Sequence, residues 1–286
     1  MIPGSSVASK EDAVISIRDL KFSYEGGVQA LAGVNLDIKR GEYVAIVGGN
    51  GSGKTTLAKN IIGLLKSASG TVLVHGALAS EQKIASLARV VGYAFQNPDH
   101  QLFCSSVSDE VRFGPRNQGI PEQEVERRMQ HALEAMNLMA LKDKPPLSLT
   151  LSARRRISIA SVIAMDPQVL ILDEPTTGLD MRESDDLMAS IGGLNAEGRT
   201  IILITHDMKL VAKYAHRVVV MSEGRVVLDA DPIGVFSDLD VLLSSKLVPP
   251  PVTRLAYRLS ALGVPRNVLS PEELVFRLIQ ARGGAK

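Results

Sequence analysis

The chain lacks the features that mark secreted and membrane-spanning proteins. It has a single cysteine, Cys104, so an intramolecular disulfide framework is excluded and a reducing compartment is favoured. No secretory signal is evident, because residues 1–10 are small and polar, and we expect residues 1–12 to be a disordered tail. The longest apolar runs, such as 169–172, are far shorter than the roughly 18 residues that a transmembrane helix requires. A role at a membrane would therefore depend on a partner.

An excess of charge of one sign is also missing. The 32 Lys and Arg residues nearly balance the 31 Asp and Glu residues, which leaves a net charge of +1. Such a chain has no broad electrostatic field for nucleic acid, so we expect no nucleic-acid partner and judge the basic cluster 154–156 by its local surroundings. With 286 residues, 45% of them hydrophobic, the chain can form one large domain with an appendage.

What is present is a glycine-rich stretch between an apolar strand and a helix-like segment, 55–65. Gly48, Gly53, Lys54 and Thr55 complete the pattern G-x-x-x-x-G-K-[ST] of a phosphate-binding loop. Glycines let backbone N–H groups converge on an anion, and the helix N-terminus adds further donors. Lys54 should reach the β and γ phosphates, and the Thr55 hydroxyl should ligate Mg²⁺. The alternative, a glycine-rich turn with a solvated lysine, is disfavoured by the complete match and its flanking elements.

Two later strands end in residues that suit phosphate chemistry. The buried-type run 169–172 is followed by Asp173 and Glu174, and the run 200–205 is followed by His206. Ligands of open α/β sheets bind at the carboxyl ends of the strands. Asp173 would therefore hold Mg²⁺, Glu174 would polarise an attacking water, and His206 would hydrogen-bond the γ phosphate or that water. The alternatives are that the acids cap the next helix and that the histidine is structural.

Two further residues are candidates because of their position. Tyr24 precedes the phosphate loop, where its ring could stack on a base, although it could also be a cross-strand packing residue. Gln96 follows the apolar strand 90–95, at the point where ligand-sensing residues are often found, although it could also be an ordinary turn residue.

The remaining pattern predicts an α/β fold with a parallel core sheet. Strands at 14–19, 22–24 and 30–38 would form an antiparallel element, and residues 97–165 would form an inserted helical subdomain with helices at 107–113, 121–136 and 153–164. Further helices are predicted at 81–89 and 180–194, with a hairpin at 217–221 and 225–228. The prolines at 249–251 would separate a nucleotide-binding domain, 13–248, from a C-terminal helical extension, 249–286, with helices at 253–262 and 271–281.

Taken together, these motifs resemble those of a known family over most of the chain. Residues 48–55 look like the Walker A motif of the ATP-binding-cassette (ABC) ATPases, Gln96 like their Q-loop, and 169–174 like their Walker B motif. Residues 177–180 look like their D-loop and His206 like their switch histidine. The resemblance implies a P-loop NTPase fold, with ATP and Mg²⁺ as cofactors.

The motifs and the resemblance together assign a full set of site residues. Catalysis is expected from Glu174, His206 and Gln96, and metal binding from Thr55, Gln96 and Asp173. Nucleotide contacts are expected from Tyr24, Gly48, Gly49, Asn50, Gly51, Ser52, Gly53, Lys54, Thr55, Thr56, Asp180 and Thr150.

A narrower resemblance comes from residues 96–103 and 109–115, which look like the Q-loop region of energy-coupling-factor importers. These are prokaryotic uptake systems for vitamins and for cobalt or nickel. The resemblance implies a peripheral ATPase subunit at the cytoplasmic face of the membrane, together with a second ATPase subunit, a transmembrane coupling protein and a substrate-binding membrane subunit. Four apolar residues would then contact the coupling protein or else form the local core: Leu102, Phe103, Val107 and Phe113.

One motif departs from the family pattern. Its signature, Leu-Ser-Gly-Gly-Gln, should fall on residues 149–153, where a hydroxyl remains at Thr150 but both glycines and the glutamine are missing. Starting the signature at Leu147 instead would restore the serine but spoil the spacing, and the glycines would still be missing. We therefore expect a paralogous partner with an intact signature.

Two other functions fit a phosphate loop. A soluble cassette ATPase of DNA repair or translation is disfavoured by the low net charge and by the absence of a long coiled-coil insertion or a second cassette. A small-molecule P-loop kinase would not be expected to carry the set of Gln96, Asp180 and His206.

Overall fold

The computed structural model of the protein describes residues 13–283, with side chains as far as residue 280. The predicted disordered tail, residues 1–12, lies outside the described residues. The strands are β1 Ala13–Ser23, β2 Gln29–Lys39, β3 Tyr43–Val47, β4 Ser69–Val74, β5 Ala77–Leu78, β6 Val91–Ala94, β7 Val169–Asp173, β8 Thr200–Ile204, β9 Arg217–Ser222 and β10 Arg225–Ala230. The α-helices are α1 Lys54–Ile61, α2 Ile84–Leu87, α3 Val107–Asn117, α4 Glu122–Ala135, α5 Leu151–Ile163, α6 Met181–Ala196, α7 Met208–Tyr214, α8 Pro232–Ser237, α9 Leu239–Ser244, α10 Pro251–Arg258 and α11 Pro271–Gly283.

The central sheet has six strands in the order β10-β9-β3-β8-β7-β6. All neighbours pair in parallel except β9 and β10, which form the predicted antiparallel hairpin. Every residue of β3, β7 and β8 is buried, as expected of β-branched runs covered on both faces. Because these strands are parallel, the segments that follow them meet at one edge of the sheet.

A second sheet forms the predicted antiparallel element, in the order β2-β1-β4-β5. Its inward residues, such as Ile15, Ile17 and Leu36, share one hydrophobic cluster with Leu57 and Ile61 of α1. This packing holds α1 between the two sheets, directly after the glycine-rich loop.

Residues 97–165, predicted to form an inserted helical subdomain, are helical in the structure. Between β6 and β7 the chain contains α3, α4 and α5 and no strand within residues 97–165, all of which are described. Val107, Met129 and Leu133 belong to a buried cluster that continues into the central sheet at Leu170 and Leu172. The subdomain is therefore packed onto the sheet rather than tethered beside it.

Several predicted helix boundaries were wrong. The helix predicted over 55–65 runs from Lys54 to Ile61, because the chain turns at Gly63 with φ +72°. The segment 81–89 contains only the single turn α2, since the chain enters β6 almost immediately afterwards. The first C-terminal helix begins at Pro251 and ends at Arg258, followed by a 3₁₀ turn at Ser260–Leu262.

The end of the chain has two parts. Residues Phe236, Leu242 and Leu247, in and just after α8 and α9, are buried against Val47 and Val220 of the central sheet. Beyond the prolines, α10 and α11 enclose a small cluster of their own with Ala256, Val264, Val268 and Leu274. Leu269, between α10 and α11, also packs against the Phe236 cluster, so the division near residue 249 stays a prediction.

Candidate nucleotide-binding site

The glycine-rich loop connects β3 to α1, and two of its positions have no room for a side chain. A Cβ atom on Gly48 would lie 2.3 Å from the Met221 carbonyl oxygen, and a Cβ on Gly53 would lie 2.5 Å from the Ala30 carbonyl oxygen. Gly53 also has φ +102°, in the left-handed region. The glycines of the motif are thus required by close backbone packing around the loop.

Backbone hydrogen bonds hold the loop from two sides. The Gly49 N–H donates to the Ser245 carbonyl at 3.1 Å, and the Gly224 N–H donates to the Ser52 carbonyl at 3.1 Å. One contact comes from the residue after α9 and the other from the β9–β10 turn. Neither support is evident from the motif, because the contacts are made by backbone atoms far along the chain.

Lys54 places a buried cation in the centre of the loop. Its Nζ donates to the carbonyl oxygens of Gly48 at 2.7 Å and Gly49 at 3.0 Å, and to Ser52 Oγ at 3.4 Å. Burial lowers the pKa of Lys54, and the nearby carboxylates of Glu174 and Asp173 oppose that shift. The loop therefore combines an ammonium group with the N-terminus of α1, a setting that favours an anion.

Asp173, at the end of β7, is almost fully buried and accepts two hydrogen bonds on one oxygen. The Thr55 hydroxyl donates to Asp173 Oδ2 at 2.9 Å, and the Tyr93 hydroxyl donates to the same atom at 2.7 Å. Thr55 and Asp173 were predicted to act together, and the structure brings them together. Tyr93 was not predicted, because within an apolar strand it looks like an ordinary core residue.

The donor set at Asp173 fits Mg²⁺ bound with a nucleotide. A hydroxyl and a carboxylate are hard oxygen donors, and Mg²⁺ commonly takes one or two such ligands together with waters and phosphate oxygens. Within the described part of the chain, no cluster of three His, Cys, Asp or Glu residues could hold a metal by itself. The arrangement thus suits an ion that arrives with a phosphate ligand.

Glu174, the next residue, is held by the end of β8. Its Oε1 lies 2.7 Å from His206 Nδ1, and its Oε2 accepts a hydrogen bond from the Thr205 hydroxyl at 3.2 Å. The backbone of Glu174 has φ +48°, an uncommon conformation for a residue other than glycine. Such strain is often found at functional sites, where the surroundings hold the residue in place. The structure thus places Glu174 and His206 in direct contact.

Gln96 has the least support from the geometry. Its side chain is exposed and forms no hydrogen bond with the residues whose side chains are described, so its catalytic and metal-binding roles stay predictions. Its backbone carbonyl accepts a hydrogen bond from the guanidinium of Arg155. Arg155 also donates to the carbonyl oxygens of Phe95 at 3.4 Å and Thr177 at 3.1 Å, and thereby joins the loops after β6 and β7.

Arg155 was not predicted as a site residue, although it lies within the basic cluster 154–156. It is 3% exposed, and its burial lowers its pKa. The run of three arginines was a usable signal, but only the fold shows that the middle one points inward.

Tyr24 is exposed to solvent and contacts two neighbouring side chains, Phe22 and Thr56. It is 41% exposed, its ring lies edge-on to Phe22 at 5.0 Å, and its hydroxyl is 3.0 Å from Thr56 Oγ1. Both predicted roles are compatible with this position, and stacking on a base stays a prediction.

Asp180 and Thr150 each cap a helix. Asp180 accepts a hydrogen bond from the Glu183 N–H at 2.8 Å, and the Glu183 side chain accepts one from the Asp180 N–H. The two bonds form a capping box at the start of α6. Thr150 Oγ1 accepts from the Ala153 N–H at 3.3 Å and so begins α5. Their predicted contacts with a nucleotide would be additional to these structural roles.

An apolar groove lies beside the site, between the central sheet and the helical subdomain. It encloses about 310 Å³ and is lined by residues that include Tyr93, Phe95, Phe103 and Phe113. Phe103 is 62% exposed and packs edge-on to Phe113 at 4.8 Å. By contrast, Leu102 and Val107 are buried in the core of the subdomain. Of the four residues predicted for docking, only the two phenylalanines are therefore available to a partner.

Comparison with known proteins gives the family. The profile of the family described as ABC transporter matches residues 31–177, which include the glycine-rich loop, Asp173 and Glu174. The chain belongs to the ABC transporter family. Members of this family bind ATP with Mg²⁺, in agreement with the geometry around Lys54 and Asp173. The structure shows the fold expected of an ABC cassette.

Individual ABC relatives cover most of the chain. The energy-coupling factor transporter ATP-binding protein EcfA of Methanothermobacter thermautotrophicus is 37% identical over 95% of this chain and 88% of its own length. The structure of cbiO1 from Clostridium perfringens, part of the ABC transporter complex cbiONQ, superposes with a TM-score of 0.75 at 40% identity and covers 88% of this chain and 98% of that one.

Other relatives are much longer. An ABC transporter ATP-binding protein of Caldanaerobacter subterraneus subsp. tengcongensis is 44% identical over 92% of this chain, but the chain spans only 46% of that protein. The chain thus spans about half the length of several curated relatives that it matches.

Proposed function

We propose that the protein is the ATP-hydrolysing subunit of an energy-coupling-factor importer, which takes up a vitamin or a transition-metal ion. The observation that carries the proposal is the meeting of Lys54, Asp173 and Glu174 at the carboxyl ends of β3 and β7, with His206 in contact with Glu174. This arrangement contains a group for the phosphates, a group for the metal and a general base. The similarity to EcfA and to cbiO1 supports the transport role.

Each residue has a defined part in hydrolysis under this proposal. Lys54 and the N–H groups of the loop bind the phosphates, and Thr55 and Asp173 hold Mg²⁺, which neutralises phosphate charge when bound. Glu174 orients the attacking water and accepts its proton. His206, at 2.7 Å from Glu174 Oε1, keeps that carboxylate aimed toward the site. Thr205 fixes the other carboxylate oxygen.

The proposed membrane partners follow from the apolar groove. None of the helices in the range 13–283 is long and apolar enough to cross a bilayer. A helix of a transmembrane coupling protein would fill the groove and pack on Phe103 and Phe113, whose rings are exposed there. The protein would then lie at the cytoplasmic face of the membrane, together with a separate substrate-binding membrane subunit.

The altered signature supports a heterodimer. In a closed ABC dimer, the signature of one chain would supply donors to the γ phosphate bound by the other chain. Here Leu151 and Ser152 place side chains at the positions where the family's glycines permit close approach of the phosphate. Leu151 also packs on Gly178, where an added Cβ would lie 2.8 Å from Leu151 Cδ2. Losing one preorganised donor costs roughly 10² to 10³ in rate. A paralogous ATPase with an intact signature would complete the site built on Lys54 of this chain.

The test compares the subunit alone with the subunit coexpressed with a paralogous ATPase and the membrane partners. We expect little ATPase activity from the isolated chain and strong activity from the assembled complex. The signature of this chain would cover the second site of the dimer, which is built on the phosphate loop of the paralogue. Restoring Ser-Gly-Gly-Gln at positions 150–153 should raise activity at that site only where the paralogue has an intact catalytic acid. Vigorous, cooperative hydrolysis by a homodimer of the unaltered chain would contradict the asymmetric arrangement.

A further inference from the structure

Tyr93 stands out because its two ends belong to different features of the molecule. Its ring lines the apolar groove and packs edge-on to Phe95 at 4.8 Å. Its hydroxyl donates to Asp173 Oδ2 at 2.7 Å, in a part of the site where Asp173 is only 2% exposed. One side chain thus joins the wall of the groove to the carboxylate predicted to hold the metal.

The sheet register explains this contact. Strands β6 and β7 pair in parallel with Tyr93 beside Ile171, so Asp173, two residues further on, lies on the same face as Ile171. Thr55, at the start of α1, approaches Asp173 as well and donates to the same oxygen. Within residues 13–280, Thr55 and Tyr93 are the hydrogen-bond donors to this carboxylate.

Tyr93 is suited to act as a permanent donor. Its side chain is buried, and its hydroxyl donates to Asp173 Oδ2 at 2.7 Å. An aromatic ring packed in the core has little freedom to move, and it fixes the position of the hydroxyl. In metal sites, groups that orient a ligand in this way commonly change metal affinity by 10- to 100-fold when they are removed.

We propose that Tyr93 is a positioning residue for the metal end of the nucleotide site. Its hydroxyl holds the Asp173 carboxylate so that Oδ2 remains beside the Thr55 hydroxyl while Oδ1 is left for the hydrated cation. The inference deepens the proposed function and rests on it, because it requires that Asp173 and Thr55 receive a divalent cation with ATP.

The experiment measures Mn²⁺ affinity by electron paramagnetic resonance in the presence of a non-hydrolysable ATP analogue. Tyr93→Phe keeps the ring and removes the hydroxyl, and we expect Mn²⁺ affinity to fall about tenfold or more. Affinity for the analogue in EDTA should stay within about twofold of the unaltered protein. Tyr214→Phe is the matched control, because the Tyr214 hydroxyl also donates to a carboxylate, Asp185 Oδ1, with a hydrogen-bond length of 3.2 Å. Asp185 is not part of the site, so this change should leave Mn²⁺ affinity unchanged.

A double-mutant cycle shows whether Tyr93 acts through Asp173. In an Asp173→Asn background, the Tyr93→Phe change should have little further effect on Mn²⁺ affinity, since the carboxylate that it orients is gone. Unchanged Mn²⁺ affinity in Tyr93→Phe, or an equal loss in both backgrounds, would overturn the inference. Failure of the unaltered protein to bind the analogue with Mn²⁺ present would instead contradict the proposed function.

Discussion

The strongest test of the proposed chemistry is the change Glu174→Gln. Glutamine has nearly the same shape but cannot accept the proton of the attacking water. In the structure Glu174 contacts His206 Nδ1 at 2.7 Å and the Thr205 hydroxyl at 3.2 Å. The glutamine oxygen can accept from Thr205, and its amide can donate to a neutral His206 ring, so both contacts can persist. The change should therefore remove basicity while leaving the fold intact.

The expected size of the effect follows from the role of a general base. Such a group contributes about 10² to 10⁴ in rate, which corresponds to roughly 3 to 5 kcal/mol in the activation barrier. ATP affinity should change little, because the proposal assigns phosphate binding to Lys54 and the loop and not to Glu174. With ATP bound and hydrolysis blocked, the closed dimer should accumulate.

The assay is single-turnover and steady-state hydrolysis in the complex with its natural partner, with ATP affinity measured separately by calorimetry. Glu197→Gln is a matched control, because Glu197 also lies near a histidine, His131, at 3.9 Å and on the exposed surface. It should retain full activity and the same melting temperature. Near-normal hydrolysis by the Glu174→Gln complex would show that another group acts as the base.

Three other predictions test neighbouring features. Lys54→Ala should lower ATP affinity by one to two decades, because a charge-assisted contact worth about 1.5 to 3 kcal/mol is lost, and unchanged affinity by calorimetry would refute its role. Phe103→Lys should leave a folded, ATP-binding subunit that no longer copurifies with its membrane partner. By contrast, Leu102→Lys should destabilise the helical subdomain, since Leu102 is 4% exposed. Persistent copurification of the Phe103 variant would exclude Phe103 as the contact. Burial, aided by Glu110, raises the pKa of Cys104 to about 11, so its thiolate fraction and its alkylation by iodoacetamide should rise about tenfold per pH unit from pH 8 to 10. A rate that levels off near pH 9 would contradict that environment.

Much of the architecture could be predicted because its signals are local. The glycine pattern around Lys54 and the apolar strand before Asp173 and Glu174 occupy a few consecutive residues each. In a parallel sheet the carboxyl ends of the strands lie at one edge, so the residues that follow these strands are expected to lie close together. The N-cap at Asp180 is likewise a local feature, because the cap and the N–H from which it accepts a hydrogen bond are three residues apart. Helix lengths were less predictable, since Gly63 and the early start of β6 ended helices that periodicity alone would extend.

By itself, the sequence determined the family, the phosphate loop and the positions along the chain of the strands whose ends build the site. Each of these depends on residue types at fixed spacing. Only the tertiary structure decided which side chains support that site. Tyr93 and Asp173 are 80 positions apart, and Arg155 and Gln96 are 59 positions apart. No local pattern marks such pairs, since their contact depends on strand register and on the packing of α5 against the sheet. The same packing buried Leu102 and exposed Phe103, although the two are adjacent in sequence and both apolar.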